Sequence, residues 1–312
     1  MADTSTQASG WPSLALEDWR PTKETLHRYC QVVGKVRMAL TPFANHWWHV
    51  TLRIGTRGLT TGPMPVGEGR TAQITLDFLD HVVDVSDSLG NSQRFALAHP
   101  LACADFHDRL FVALQALEIR VDIDPRPYDL AGEALSADRE HDTYDAEAVT
   151  RFWRALASSA LVLEEFAGWF NGKQSPVQLF WHSFDLAHAR YSGRRAPVRS
   201  GAGTVEGEAY SHEVVAFGFW AGDDKVPFPA YYSYTAPAPV GLTDQPLPEG
   251  ASWDASSGTA VLPYDSVRRS EDPRATLLSF LQASYLAGGR AAGWDLAHLA
   301  TRAAPVEAAS VP

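Results

Sequence analysis

The residues best suited to chemistry crowd into Asn45-His46-Trp47-Trp48-His49, where two imidazoles and two indoles are consecutive. A related stretch, Phe180-Trp181-His182-Ser183-Phe184-Asp185-Leu186, lies far downstream, and Tyr210-Ser211-His212-Glu213 forms a third. Imidazoles and carboxylates are the usual general acids and bases. They are also ligands for a divalent metal. Asp185, His212, Glu213 and His49 are therefore the expected catalytic groups, and His46, His49 and His212 the candidate metal ligands. Trp48, Trp181, Tyr210, Arg190 and Trp220 are expected to hold a ligand, because pockets are mostly aromatic with a few placed polar groups.

Each residue also has a structural reading. A histidine among tryptophans is commonly a hydrogen-bonded core residue. Asp185 could bond backbone N–H groups in a turn, and Glu213 could pair with an arginine. Arg190, Arg194, Arg195 and Arg199 cluster about Gly193, either as an anion fork or as a solvated loop. Gly172-Lys173-Gln174-Ser175 resembles a phosphate-loop fragment but lacks the leading glycine spacing. No G-x-S-x-G, H-E-x-x-H or G-x-G-x-x-G is present, which removes the sequence support for lipase-type, zincin and Rossmann chemistry.

Positioning these groups falls to alternating helical and extended stretches. Apolar residues at steps of three and four predict a helix over 22–40, with Thr22 as N-cap. Residues 46–54 read as a strand, and Arg57 to Gly69 as a mobile Gly/Pro-rich connection. Strands follow over 73–78, 81–85 and 93–98, then a helix over 100–119. Asp145 caps a helix over 146–170. Strands are predicted over 176–186, 209–220, 230–235 and 259–263, and Asp272-Pro273 opens the last helix. Residues 191–207 read as a Gly/Arg loop, of which 194–207 is expected to be mobile and, with 57–69, to flank the pocket as a lid.

In a strand over 209–220, Tyr210, His212, Val214, Ala216, Gly218 and Trp220 share one face, whose small residues leave room for a ligand. In a strand over 176–186, His182 sides with Phe180 and Phe184, whereas Asp185 sides with Trp181 and Ser183.

Both halves read as helix, strands, helix, with a Trp-His pair after the long helix in each. The expected fold is α+β in two similar halves, each a mainly antiparallel sheet with flanking helices, and an internal duplication is open. Residues 11–140 and 141–300 form the halves; 1–10 is expected as a disordered tail and 301–312 as a frayed one.

The chain has 312 residues, 45% of them hydrophobic and ten of them Trp, the composition of a packed protein. Its net charge of −11 offers no basic face for a nucleic-acid backbone. Cys30 and Cys103 make no disulfide framework. The first ten residues lack the pattern of a signal peptide, and no apolar run reaches membrane-span length. The expectation is a cytoplasmic protein with a small-molecule ligand and neither nucleic-acid nor membrane partners.

Several strings together resemble the bacterial domain of unknown function 5996 family over Trp11 to Leu296. They are Trp11-Pro12, Asn45 to His49, Arg57-Gly58-Leu59-Thr60-Thr61, Ser175-Pro176-Val177, Ser183 to Ala187, Glu208 to Glu213, Gly218-Phe219-Trp220 and Tyr232-Ser233-Tyr234. The resemblance implies no activity. The family pattern has Gly where this chain has His182 and Thr where it has Ala189, which leaves His46, His49, Asp185, His212 and Glu213 as the better candidates. The functional expectation is an enzyme using His and carboxylate groups on a small polar molecule, with or without a divalent metal. The alternative is a non-catalytic binding or sensing protein.

Overall fold

The structure, a computed structural model, describes residues 10–198, 201 and 203–305. The expected tail over 1–9, the chain end over 306–312 and Arg199 lie outside the described residues. Helix α1 (Arg20–Leu40) starts two residues earlier than expected. Pro21 suits the first turn, where its missing N–H is not needed. Thr22 is no cap; its hydroxyl instead accepts from the Asp145 backbone N–H at 3.0 Å.

The chain then forms β1 (Arg53–Ile54), β2 (Gly58–Thr60), β3 (Met64–Gly67), β4 (Arg70–Asp77), β5 (Val82–Asp87) and β6 (Ser92–Ala96), followed by α2 (Cys103–Ala116). These strands make one antiparallel sheet in the order β1-β2-β4-β5-β6, with β3 also on β4. The connection expected over 57–69 is therefore corrected: it holds two strands, with Leu59 and Met64 buried in the core.

Helix α3 (Ala146–Ala167) is capped as expected, Asp145 accepting from the Ala148 N–H at 3.1 Å. It leads to β7 (Gln178–Phe180), β8 (Asp185–Arg195), α4 (Thr204–Ala209), β9 (His212–Trp220), β10 (Ala230–Ala236), β11 (Ser252–Asp254) and β12 (Thr259–Pro263). The second antiparallel sheet runs β11-β12-β10-β9-β8-β7. The chain closes with α5 (Tyr264–Arg268), α6 (Pro273–Ala291), opened by Asp272 as expected, and α7 (Leu296–Leu299).

Two strand expectations are corrected near the site. The strand over 176–186 is broken by a turn, in which Phe184 takes φ 57°, so β7 and β8 form a hairpin. The loop over 191–207 is partly the end of β8 and partly α4.

The sheets meet edge to edge, where Leu52 and Leu179 exchange both backbone hydrogen bonds at 2.9 Å. One buried apolar cluster runs through both halves, from Leu14 to Leu299. In the second sheet, alternation divides the faces. Leu186, Val215, Phe217, Phe219 and Tyr231 are buried in the core that α3 and α6 cover. Asp185, Ala187, Ala189, Val214, Ala216, Trp220, Tyr232 and Tyr234 line the opposite face.

The fold is thus α+β with two six-stranded antiparallel sheets. Trp48 precedes β1, whereas Trp181 follows β7, so the two Trp-His pairs do not mark equivalent places and the element order alone does not show a duplication. Among the described residues, no helix is long and apolar enough to cross a membrane.

Candidate functional site

The uncovered face of the second sheet floors a cavity of about 870 Å³. Its far wall comes from segments that the sequence pattern misreads. Residues 45–47 form a 3-10 turn, not a strand, with His46 at φ 56° and Trp47 at φ 61°. Positive φ strains a residue with a side chain and persists only where surrounding contacts impose it. Here α4 supplies them: Trp47 donates its indole N–H to the Val205 carbonyl at 3.2 Å, and the His46 N–H donates to Glu208 Oε1 at 3.3 Å.

His46 ends up buried against Tyr191, the ring centroids 4.5 Å apart, and meets His212 edge-on at 5.5 Å. Its tautomer follows from its partners. Nδ1–H donates to the Ala209 carbonyl at 3.0 Å, so Nε2 is left to accept from the Lys173 ammonium at 2.6 Å. Burial lowers the His46 pKa, and the Lys173 charge lowers it further. Burial likewise lowers those of His212 and Lys173. Lys173 also lies over the rings of Tyr191 and Trp48, at 5.2 and 5.7 Å. Dismissed with its phosphate-loop look-alike, Lys173 is the residue that sequence reasoning missed. Its role depends on contacts with 45–48 and 191, which no local pattern encodes.

At the other end, Asp185 opens β8 opposite Phe180 on one side and Trp220 on the other. The hydroxyls of Tyr232 and Ser183 both donate to its carboxylate. No lysine or arginine pairs with it among the described residues. Burial, foremost, and the Asp185 charge raise the Tyr232 hydroxyl well above the ordinary tyrosine range. Tyr232 and Tyr234 stack with centroids 6.1 Å apart, and the Tyr234 and Tyr210 hydroxyls share a hydrogen bond of 3.0 Å. His182 lies beside Asp185 with its pKa lowered by burial.

Of the sequence candidates, His46, Trp48, Asp185, Tyr210 and Trp220 line this cavity, and so does His182. His212 joins the group through His46 rather than through the cavity wall. The others sit elsewhere. His49 is buried against Phe43 and Trp47, its Nδ1 without a partner. Trp181 is a core peg: its indole N–H donates to the Val50 carbonyl at 2.8 Å and its ring lies on Gly34 of α1.

Glu213 points to the helix side, held by Arg194 at 2.7 Å, Ser192 at 2.9 Å and the Trp294 indole at 3.1 Å. Arg190 is buried on that side too, its guanidinium 3.4 Å from the Phe166 ring centre. Desolvation pushes its pKa down to about 9. The metal trio His46, His49 and His212 is corrected on geometry. Both His46 nitrogens are already hydrogen-bonded, one to an ammonium, and no three His, Cys, Asp or Glu side chains among the described residues are grouped to hold a metal ion. Of the two expected lids, 57–69 contributes nothing to the cavity wall, whereas Gly203, Val205 and Glu206 do.

The model of a family of unknown function (DUF5996) matches residues 11–301. The chain belongs to that family. No curated protein and no solved structure matches it significantly. In this DUF5996 member, the matched span takes in both sheets and every wall of the cavity.

Proposed function

We propose that the protein is an enzyme that acts on a small polar molecule held in this cavity, with Asp185 as the proton acceptor. The observation that carries the reading is the setting of Asp185. It faces an aromatic-walled cavity, receives two hydroxyl donors and, among the described residues, pairs with no lysine or arginine. A carboxylate offers about four lone-pair sites, so capacity remains for a substrate proton. His46 shapes the wall, since both of its nitrogens are committed.

That commitment of His46 favours a second reading, a non-catalytic small-molecule binding protein. Incubating the pure protein with a cell extract and following metabolites by mass spectrometry separates the two. Consumption of a compound by wild type, abolished in Asp185→Asn with an unchanged melting curve, supports the enzyme. Consumption that persists in Asp185→Asn removes Asp185 as proton acceptor. A compound retained by the protein but unaltered supports the binder.

A further inference from the structure

Among the described residues, the cavity wall carries the carboxylates of Asp129, Asp185, Asp223 and Glu206, the last of which already has a partner, against the ammonium of Lys23 on the wall and that of Lys173 over the rings of Trp48 and Tyr191. Burial lowers the Lys23 pKa, against the fields of Glu24, Asp223 and Asp224. The histidines add little positive charge: burial pushes His27 down to about 3 and lowers His46 and His182. Asp185 is the carboxylate set deepest among rings, beside Trp220, Phe180 and Tyr232, and its two hydroxyl donors are neutral. A carboxylate flanked by aromatic faces is the setting that holds an organic cation, through ion pairing and attraction to the ring quadrupoles.

A second observation comes from Gln178. It lines the same cavity, is 0% exposed, and its Nε2 has no hydrogen-bond partner. Its Oε1 accepts from the Thr51 hydroxyl at 2.9 Å and lies 3.5 Å from an Arg53 nitrogen, which fixes the amide with the nitrogen as the free end. A buried donor without an acceptor is costly and rare in a finished structure. An acceptor on a ligand would satisfy it.

Gln178 is directly opposite Ala187, and Asp185 is opposite Phe180, so the two polar residues are diagonal neighbours on one face of the hairpin. Diagonal pairs of this kind stand about 7–8 Å apart at the backbone. We infer that the cavity takes a small primary ammonium compound, its nitrogen against Asp185 and a carbonyl or carboxylate oxygen, a few atoms away, against the Gln178 amide. This deepens the proposed function and rests on the same cavity being its site.

Three probes sharing one propanamide frame test it by saturation-transfer NMR titration: β-alaninamide, a cation; butyramide, neutral and of the same size; and succinamate, a slightly larger anion. The expected result is β-alaninamide binding at least tenfold more tightly than the other two. Asp185→Asn should remove that preference, the β-alaninamide affinity falling to the level of butyramide. Gln178→Met, similar in volume but lacking the donor, should weaken β-alaninamide and butyramide alike by several-fold. Melting curves confirm that both variants fold. Butyramide or succinamate binding as tightly as β-alaninamide, or an unchanged preference in Asp185→Asn, would overturn the ammonium site while leaving the cavity as a binding site. Failure of all three probes to bind wild type would contradict the inference and, with no turnover in extract, the proposed function as well.

Discussion

Tyr232 reaches over Gly218 to donate its hydroxyl proton to Asp185, joining β10 to β8 across the strand between them. A Cβ at 218 would overlap both the Tyr232 phenol and the Leu186 carbonyl. Gly218→Ala is expected to displace Tyr232 and cost about 1–3 kcal/mol of stability, the usual range for overpacking. Chemical denaturation measures the loss, and turnover of the extract substrate should fall with it. An unchanged denaturation midpoint would show that Tyr232 does not need the glycine.

Acid should destabilise the protein through its buried histidines. His27 is in contact with the carbonyls of Trp181 and His182, under the charges of Lys23 and Arg28. His188 donates Nδ1–H to the Ser175 carbonyl beside Arg190. Burial pushes both down to about 3. Each folded value lies below the ordinary histidine value near 6.5, so between about pH 6.5 and 3 the unfolded chain binds more protons. Stability attributable to these groups is complete above about pH 6.5 and falls with acidification through that window, by at most about 1.4 kcal/mol per pH unit for each histidine. His188→Asn, which can keep a donor toward Ser175, should make the pH dependence of urea unfolding shallower. An unaltered slope would mean that His188 does not titrate this way.

Trp181 is expected to behave as a core residue. It is 3% exposed and locked between Gly34 and the Val50 carbonyl. Trp181→Ala should cost about 3–5 kcal/mol, as large-to-small core changes do. A stable Trp181→Ala variant that loses only ligand binding would return Trp181 to the site.

Glu213 should be structural as well. Its partner Arg194 is half exposed, so the pair contributes little, and Glu213→Gln should cost about 1 kcal/mol or less. Extract turnover should be unchanged. A large drop in turnover at unchanged stability would contradict the placement of Glu213 on the helix side.

Much of the fold was legible because it follows local rules. The Asp145 and Asp272 caps and the alternation along β9 were read from spacing alone, and that alternation put Val214, Ala216 and Trp220 on the cavity face. The strand reading of 46–54 failed because positive φ at His46 and Trp47 abolishes alternation. Distant partners impose that conformation: α4 beneath the turn, and Leu179 bridged to Leu52. The turn at Phe184 hid inside an apolar run for a like reason, since its ring stacks on His27 and Phe152 and so keeps the turn apolar. Asp185 was chosen from its residue type, but its partner Tyr232 lies two strands away and no spacing announces it.

The most direct measurement fills the cavity without touching a polar group. Ala216 lines its floor from the middle of β9, largely buried beside Tyr191 and Val214. Ala216→Trp would drive an indole up from the floor into the cavity. The expected result is loss of turnover or ligand retention in cell extract by a protein that still unfolds cooperatively, destabilised by about 1–3 kcal/mol, the usual cost of overpacking. Full turnover or retention by a well-folded Ala216→Trp would contradict the assignment of this cavity as the functional site.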